Sequence, residues 1–68
     1  MIDTKALHGA IVTKGLTQQE MAELIGISPK TFYKKMKKGV FGSDEMDIMI
    51  EVLSLENPAA IFFAKEVT

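Results

Sequence analysis

The most constraining feature of the sequence is a segment in which one helix ends and another begins within a few residues. Thr17 and Glu20 stand three positions apart, as in a capping box that starts a helix. Gly26 can adopt the positive φ of a sharp turn. Ser28 followed by Pro29 is the usual N-cap and first residue of a new helix. The segment therefore predicts two short helices that are joined by a tight turn and cross steeply.

Helix start and stop signals along the rest of the chain predict three further helices. We expect Ser43 and Asn57 to act as N-caps, and Gly15 and Gly39 to end helices as left-handed glycines. No segment shows the alternation of apolar and polar residues that marks a strand. The sequence thus predicts an all-α fold with helices over residues 4–14, 18–25, 29–38, 44–54 and 58–63.

The length of 68 residues allows one domain, residues 1–68, with the two-helix segment at residues 17–39. A domain of this size buries only about 60% of the surface that its unfolded chain exposes. With no cysteine and one histidine, disulfides and a zinc site are excluded, so we expect a second subunit to add stability. Residues 64–68 are expected to fray or to form an extended arm.

Several classes of protein are disfavoured by what the sequence lacks. No run reaches the ~18 apolar residues of a membrane span, and the first residues do not resemble a signal peptide. There is no pairing of histidine with a carboxylate and no glycine-rich phosphate loop. We therefore expect a cytoplasmic protein of a bacterial host cell that is not an enzyme and uses no cofactor, metal ion or small-molecule substrate.

The distribution of charge is more informative than the net charge of −1. Five of the eight lysines lie within nine residues that contain no acid: Lys30, Lys34, Lys35, Lys37 and Lys38. From residue 39 onward there are six acidic residues and one lysine. A chain that is acidic in total can therefore present one basic face, which suits a nucleic acid.

The third predicted helix carries this basic face opposite an apolar one. At 100° per residue, Phe32 and Met36 share the inward side. Four lysines and Thr31 fall on an arc of about 140° to 260° from Phe32, which points outward. A helix that is anchored on one side and basic on the other can enter a DNA major groove about 12 Å wide.

Side-chain chemistry suggests separate roles along this helix. Lys30 and Lys34 can donate to guanine O6 or N7, and Thr31 can contact a thymine methyl group or a phosphate. Pro29 offers only van der Waals contact to a base. Tyr33 lies at the boundary of the outward face, where either packing or DNA contact suits it. The residues expected to contact phosphates are Thr17, Gln18, Ser28, Tyr33, Lys35, Lys37 and Lys38.

Residues 17–28, Thr-Gln-Gln-Glu-Met-Ala-Glu-Leu-Ile-Gly-Ile-Ser, resemble the helix-turn-helix of phage repressor and Cro-type (XRE-like) proteins. The resemblance is strong over residues 16–39 and weaker over 43–63. It implies a five-helix, lambda-repressor-like domain that binds double-stranded DNA as a dimer on a two-fold operator. It also implies transcriptional regulation in a phage or prophage. The positions implied to face DNA are Gln18, Ser28, Pro29, Lys30, Thr31 and Lys34.

Two other groups of residues bear on partners. Asp44, Glu45 and Asp47 begin the fourth predicted helix, an end that lies near the DNA backbone in many relatives. Either that end is turned away from DNA, or its charge limits non-specific binding. Val40 and Phe41 are expected to fill the gap between the third and fourth helices, with a wedge near the DNA backbone as the alternative.

The C-terminal segment is more apolar than one helix face can bury. The predicted dimer interface consists of Ile61, Phe62, Phe63 and Val67. An alternative function uses the same end differently. In that reading the chain is a protein-interaction module, similar to an anti-repressor, in which the helix-turn-helix is a scaffold and the apolar end binds a partner protein.

Overall fold

A computed structural model describes residues 2–63, and within that range it contains five helices and no strand. The helices are α1 (Thr4–Thr13), α2 (Gln18–Ile25), α3 (Pro29–Lys38), α4 (Ser43–Leu53) and α5 (Pro58–Phe62). The predicted all-α, five-helix fold is confirmed, and each predicted boundary lies within one residue of the observed one. The predicted arm at residues 64–68 lies outside the described residues. None of the helices in residues 2–63 is long and apolar enough to cross a bilayer.

The junction between α2 and α3 forms as the sequence predicts. Thr17 Oγ1 accepts a hydrogen bond from the N–H of Glu20 at 3.1 Å, and Glu20 Oε1 accepts one from the N–H of Thr17 at 2.9 Å. Gly26 closes α2 with φ of 93°, in the left-handed region that glycine favours. Ser28 Oγ then accepts from the N–H of Thr31 at 3.2 Å and begins α3. Both ends of the turn are thus fixed by local hydrogen bonds.

The core lies where all the longer helices meet. The largest side chains with no solvent exposure are Phe32, Leu7, Ile11, Met21 and Met49. Phe32 is the contribution of α3, and its ring lies 5.4 Å from that of Phe41, which follows α3. Ala22 is also fully buried, so α2 approaches its neighbours closely at this position. The inward side predicted for α3 is therefore the side that anchors it.

The first residues are tied to α5. The N–H of Asp3 donates to the carbonyl oxygen of Ile61 at 2.7 Å. Asp3 Oδ1 in turn accepts from the N–H of Ala6 at 3.0 Å and caps α1. Ile2 is buried in the core beside this bond. One residue therefore both caps the first helix and holds the last one.

One predicted N-cap is wrong, and a second makes no capping hydrogen bond. Gly42, and not Ser43, is the N-cap of α4, because Glu45 Oε1 reaches back to accept from the N–H of Gly42 at 2.7 Å. A carboxylate at the third helical position makes a capping side chain unnecessary here. Asn57 precedes α5 as expected, but its side chain makes no capping hydrogen bond. Its backbone is outside the extended region that a capping residue usually adopts.

Two apolar residues near the turn helices are exposed. Leu24, which follows the buried Met21 by three residues on α2, is 51% exposed. The buried positions of α2 centre between Met21 and Ala22, so Leu24 lies on the far side of that stripe. Val40, expected to fill the gap after α3, is 63% exposed, and Phe41 alone fills it.

Candidate nucleic-acid interface

The outward side of α3 is a surface of unburied lysines. Phe32 holds the opposite side of the helix in the core with no exposure of its own. Because the helix is capped at Ser28 and closed at Gly39, its orientation is set at both ends. The exposed members, which we call the lysine face, are Lys30, Lys34, Lys37 and Lys38.

The beginning of α3 orders the residues next to this face. Ser28 Oγ–H donates to Thr31 Oγ1 at 2.9 Å, in addition to accepting from the N–H of Thr31. The hydroxyl of Thr31 keeps its own hydrogen, which is free to be donated to a DNA acceptor. Pro29 is partly buried between them. The structure thus brings three of the predicted DNA-facing residues together at one end of the helix.

Lys35 differs from the other lysines of α3. Its Nζ lies 2.7 and 2.6 Å from the two carboxylate oxygens of Glu45 at the start of α4. The side chains of Lys35 and Glu45 are 33% and 15% exposed, so the pair is partly shielded from water. The sequence indicates only the inward position of Lys35, since this residue falls about 60° from Phe32 on the helix, toward the core. The phosphate contact predicted for Lys35 stays a prediction.

The charge of Glu45 is stabilised where it lies. Partial burial raises the pKa of its carboxyl, but the Lys35 ammonium and the N–H of Gly42 oppose this and leave the pKa below its ordinary value near 4.5. Asp44 and Asp47 are exposed. Of the three acids at this end, one is therefore turned to a lysine of α3 and two face solvent.

The N-terminal end of α2 lies beside one edge of the lysine face. Thr17, Gln18 and Tyr33 line a shallow depression together with His8 of α1. Tyr33 is half exposed, and its ring contacts Phe32 edge-on at 6.4 Å. Part of the Tyr33 ring therefore packs while the rest is accessible. The first backbone N–H groups of a helix have no partner within it, so this end of α2 favours an anion.

A comparison with known families bears on this arrangement. Residues 5–54 match the family described as the antitoxin Xre-like helix-turn-helix domain. The chain belongs to this family. No curated protein and no solved structure shows a significant match to the chain.

Membership confirms the XRE-like helix-turn-helix that the capping box and the turn predict. The Xre-like domain is a DNA-binding regulator of the helix-turn-helix class. The matched residues span α1 to α4 and so include the whole of the lysine face.

The described residues that follow α4 contribute to a second surface, made of apolar residues. Phe63 is 65% exposed and faces a groove that it shares with Val40, Phe41 and Met46. We call this groove and its rim the C-terminal apolar surface.

The predicted dimer residues do not share one environment. Phe62 is 2% exposed and packs inside the subunit, so it has no surface to offer a second copy. Its position on α5 turns it to the core as that helix docks. Ile61 is partly buried and packs against the core. Val67 lies outside the described residues. Phe63 is thus the described residue of the four that is most exposed.

Proposed function

We propose that this Xre-like domain is a sequence-specific transcriptional regulator of the Cro/repressor type that places α3 in the major groove of DNA. The observation that carries the proposal is the rigid presentation of the lysine face. Phe32 is fully buried on one side of α3, and four lysines are exposed on the other. A helix held in this way can present the same donors to every DNA site it meets.

Within this proposal the residues divide by position. Lys30 and Lys34 lie at the middle of the lysine face and read base edges, with Thr31 and Pro29 beside them. Lys35 reaches a phosphate only by leaving Glu45, which makes it the weakest member of the set. The other proposed phosphate contacts surround these base-contacting residues. They are Thr17, Gln18, Ser28, Tyr33, Lys37 and Lys38.

We propose that the regulator acts as a homodimer on a two-fold operator. Phe63, with Val67 beyond the described residues and Ile61 at the edge, supplies an apolar contact of the kind that subunits bury. A dimer places two copies of α3 on half-sites about one helical turn, ~34 Å, apart. A phage or prophage setting, which the resemblance implies, stays a prediction that gene context tests.

Selection of bound duplexes from a random DNA pool tests the proposal. We expect enrichment of a two-fold sequence whose half-sites are centred about 10 base pairs apart. The double variant Lys30→Ala/Lys34→Ala is the control, because both side chains are exposed and its helix content should be unchanged. Failure of the parent protein to retain any duplex at about 50 mM salt would overturn DNA binding.

A second candidate function rests on the C-terminal apolar surface. The family description contains the word antitoxin, and a protein that counteracts a toxin by binding it would need a contact surface apart from the lysine face. The groove between Phe63 and Val40 is apolar and open, as a protein contact requires. In this alternative the helix-turn-helix is a scaffold for binding a protein partner. Co-purification with the product of the adjacent gene, lost in Phe63→Ser, together with no duplex retained, would favour it over the first.

A further inference from the structure

His8 lies beside the proposed DNA surface, although no sequence motif assigns it a role. It is exposed on α1 and lines two adjoining depressions. In one it lies with Lys5, Gln18 and Lys37, so three helices contribute to the same depression. In the other it lies with Gln18 and Tyr33. The proposed DNA surface therefore extends from the lysine face and the start of α2 onto α1.

The contact between His8 and Gln18 depends on the proton of the imidazole. His8 Nε2 and Gln18 Nε2 lie 3.5 Å apart. When the imidazole is neutral and carries its hydrogen on Nδ1, the amide of Gln18 donates to Nε2. When the imidazole is protonated, Nε2 is a donor, so Gln18 either turns its carbonyl oxygen toward the ring or shares an outside acceptor with it. An anionic oxygen at this place can accept from both.

The charges around His8 favour an anion. Lys5 on α1 and Lys37 on α3 line the first depression, and Tyr33 is the other titratable residue in the second. No carboxylate lines either depression of the described structure. The acid of α2 nearest in sequence to Gln18 is Glu20, whose carboxylate accepts from the N–H of Thr17. The positive end of α2 adds to the same field.

We propose that His8 binds a phosphodiester of the DNA backbone together with Lys5, Gln18 and Lys37, and takes up a proton as it does so. The inference rests on the proposed DNA-binding function and adds α1 to the interface. Histidine side chains change charge between about pH 5 and 8, and the phosphate favours the charged form. The DNA-bound protein then holds more protons than the free protein, so affinity rises as the pH falls from 8 to 6.

Fluorescence anisotropy with a labelled duplex of about 20 base pairs, at about 50 mM salt and constant ionic strength, measures this dependence. We expect the parent protein to bind about three- to tenfold more tightly at pH 6 than at pH 8. His8→Gln keeps a polar side chain opposite Gln18 and should lose most of that difference. Calorimetry in buffers of different ionisation enthalpy should show proton uptake for the parent and not for His8→Gln.

Lysine variants of α1 provide a matched pair. Lys5→Gln should weaken binding and lower the salt dependence by about one unit, because a phosphate contact is lost. Lys14→Gln removes the same charge from the other end of α1, where the side chain lines a depression with Leu55, and should change binding little. A parent protein that binds the duplex with the same pH dependence as His8→Gln would overturn this inference alone. No binding by the parent at either pH would overturn the proposed function as well.

Discussion

The lysines of α3 have the same side chain in different surroundings. Lys34 is exposed at the centre of the lysine face, Lys38 lies near the end of the helix, and Lys35 is paired with Glu45. An ammonium in water is available to DNA at little cost, whereas a paired one has first to leave its carboxylate. The position of each lysine around the helix therefore decides whether it can contact DNA bases, a phosphate or Glu45.

Lys34→Ala and Lys38→Ala should affect DNA binding differently. Lys34→Ala removes a base contact, so we expect specific binding to weaken by about 1–3 kcal/mol and preference at one base position to relax. Lys38→Ala removes a phosphate contact, so binding to all duplexes should weaken about equally. The slope of log affinity against log salt concentration should become shallower by about one unit. Binding measured on a set of single-base operator variants checks both. The same profile for the two variants across that set would contradict the assignment.

Glu45→Gln should reduce stability in a pH-dependent manner. The folded protein lowers the pKa of Glu45, so the ionised form contributes stability above about pH 4.5 that is lost as the pH falls through the lowered pKa. At pH 7 we expect a free energy of unfolding about 1 kcal/mol smaller than in the parent protein. The difference should shrink toward pH 3, measured by urea denaturation. Asp44→Asn, at an exposed acid in the same turn, is the control. If the free energy of unfolding of Glu45→Gln followed the same pH dependence as that of the parent protein, the stabilising role of the ionised Glu45 would be refuted.

At the scale of elements, the turn between α2 and α3 is where the fold depends most on one backbone conformation. Gly26 has φ of 93°, and a Cβ built there would meet no atom within 4 Å. The cost of a side chain at this position is therefore conformational and not a clash. Gly9, in the middle of α1, also has open space around a Cβ but has no positive φ.

Alanine at these two glycines should shift stability in opposite directions. Gly26→Ala is expected to lower the free energy of unfolding by about 1–2 kcal/mol because of the left-handed backbone. Gly9→Ala is expected to raise it by up to about 1 kcal/mol, because alanine favours a helix interior. Thermal or urea unfolding of both variants checks the pair. Equal effects would mean that the conformation of Gly26 does not limit the turn.

Features that depend on a few neighbouring residues can be predicted from the sequence. The capping box at Thr17, the glycine that closes α2 and the proline that begins α3 act within one turn of helix, so local chemistry decides them. Ser54 ends α4 with φ of 50°, where a glycine would be the more usual residue. No glycine stands at that end, so the sequence carries no such stop signal there.

Features that depend on contacts between helices cannot be predicted from the sequence in this way. The pair of Lys35 and Glu45 needs the angle between α3 and α4, which no local pattern contains. The burial of Phe62 beside an exposed Phe63 depends on how α5 docks, since both are equally apolar in sequence. His8 belongs to no sequence motif, and its proposed role depends on the 3.5 Å distance between its Nε2 and that of Gln18.

At the scale of the whole molecule, the C-terminal apolar surface should control self-association. Phe63→Ser removes an exposed apolar ring without opening the core, so we expect weaker dimerisation with unfolding stability changed by less than about 0.5 kcal/mol. Sedimentation equilibrium over a range of concentration measures it. Leu24→Ser, which alters an exposed apolar residue of α2, is the matched control and should leave association unchanged. A Phe63→Ser protein that associates as the parent does would place the interface elsewhere.

The hydrogen bond from Asp3 to Ile61 joins the first turn of the domain to its last helix. The amide hydrogen of Asp3 is therefore protected from exchange with solvent only while α5 stays docked. Whatever covers Phe63, a second copy or another protein, favours the docked form of α5 by mass action. Exchange at Asp3 should then slow in proportion to occupancy, which makes one backbone amide near the N-terminus a reporter for events at the opposite end of the sequence.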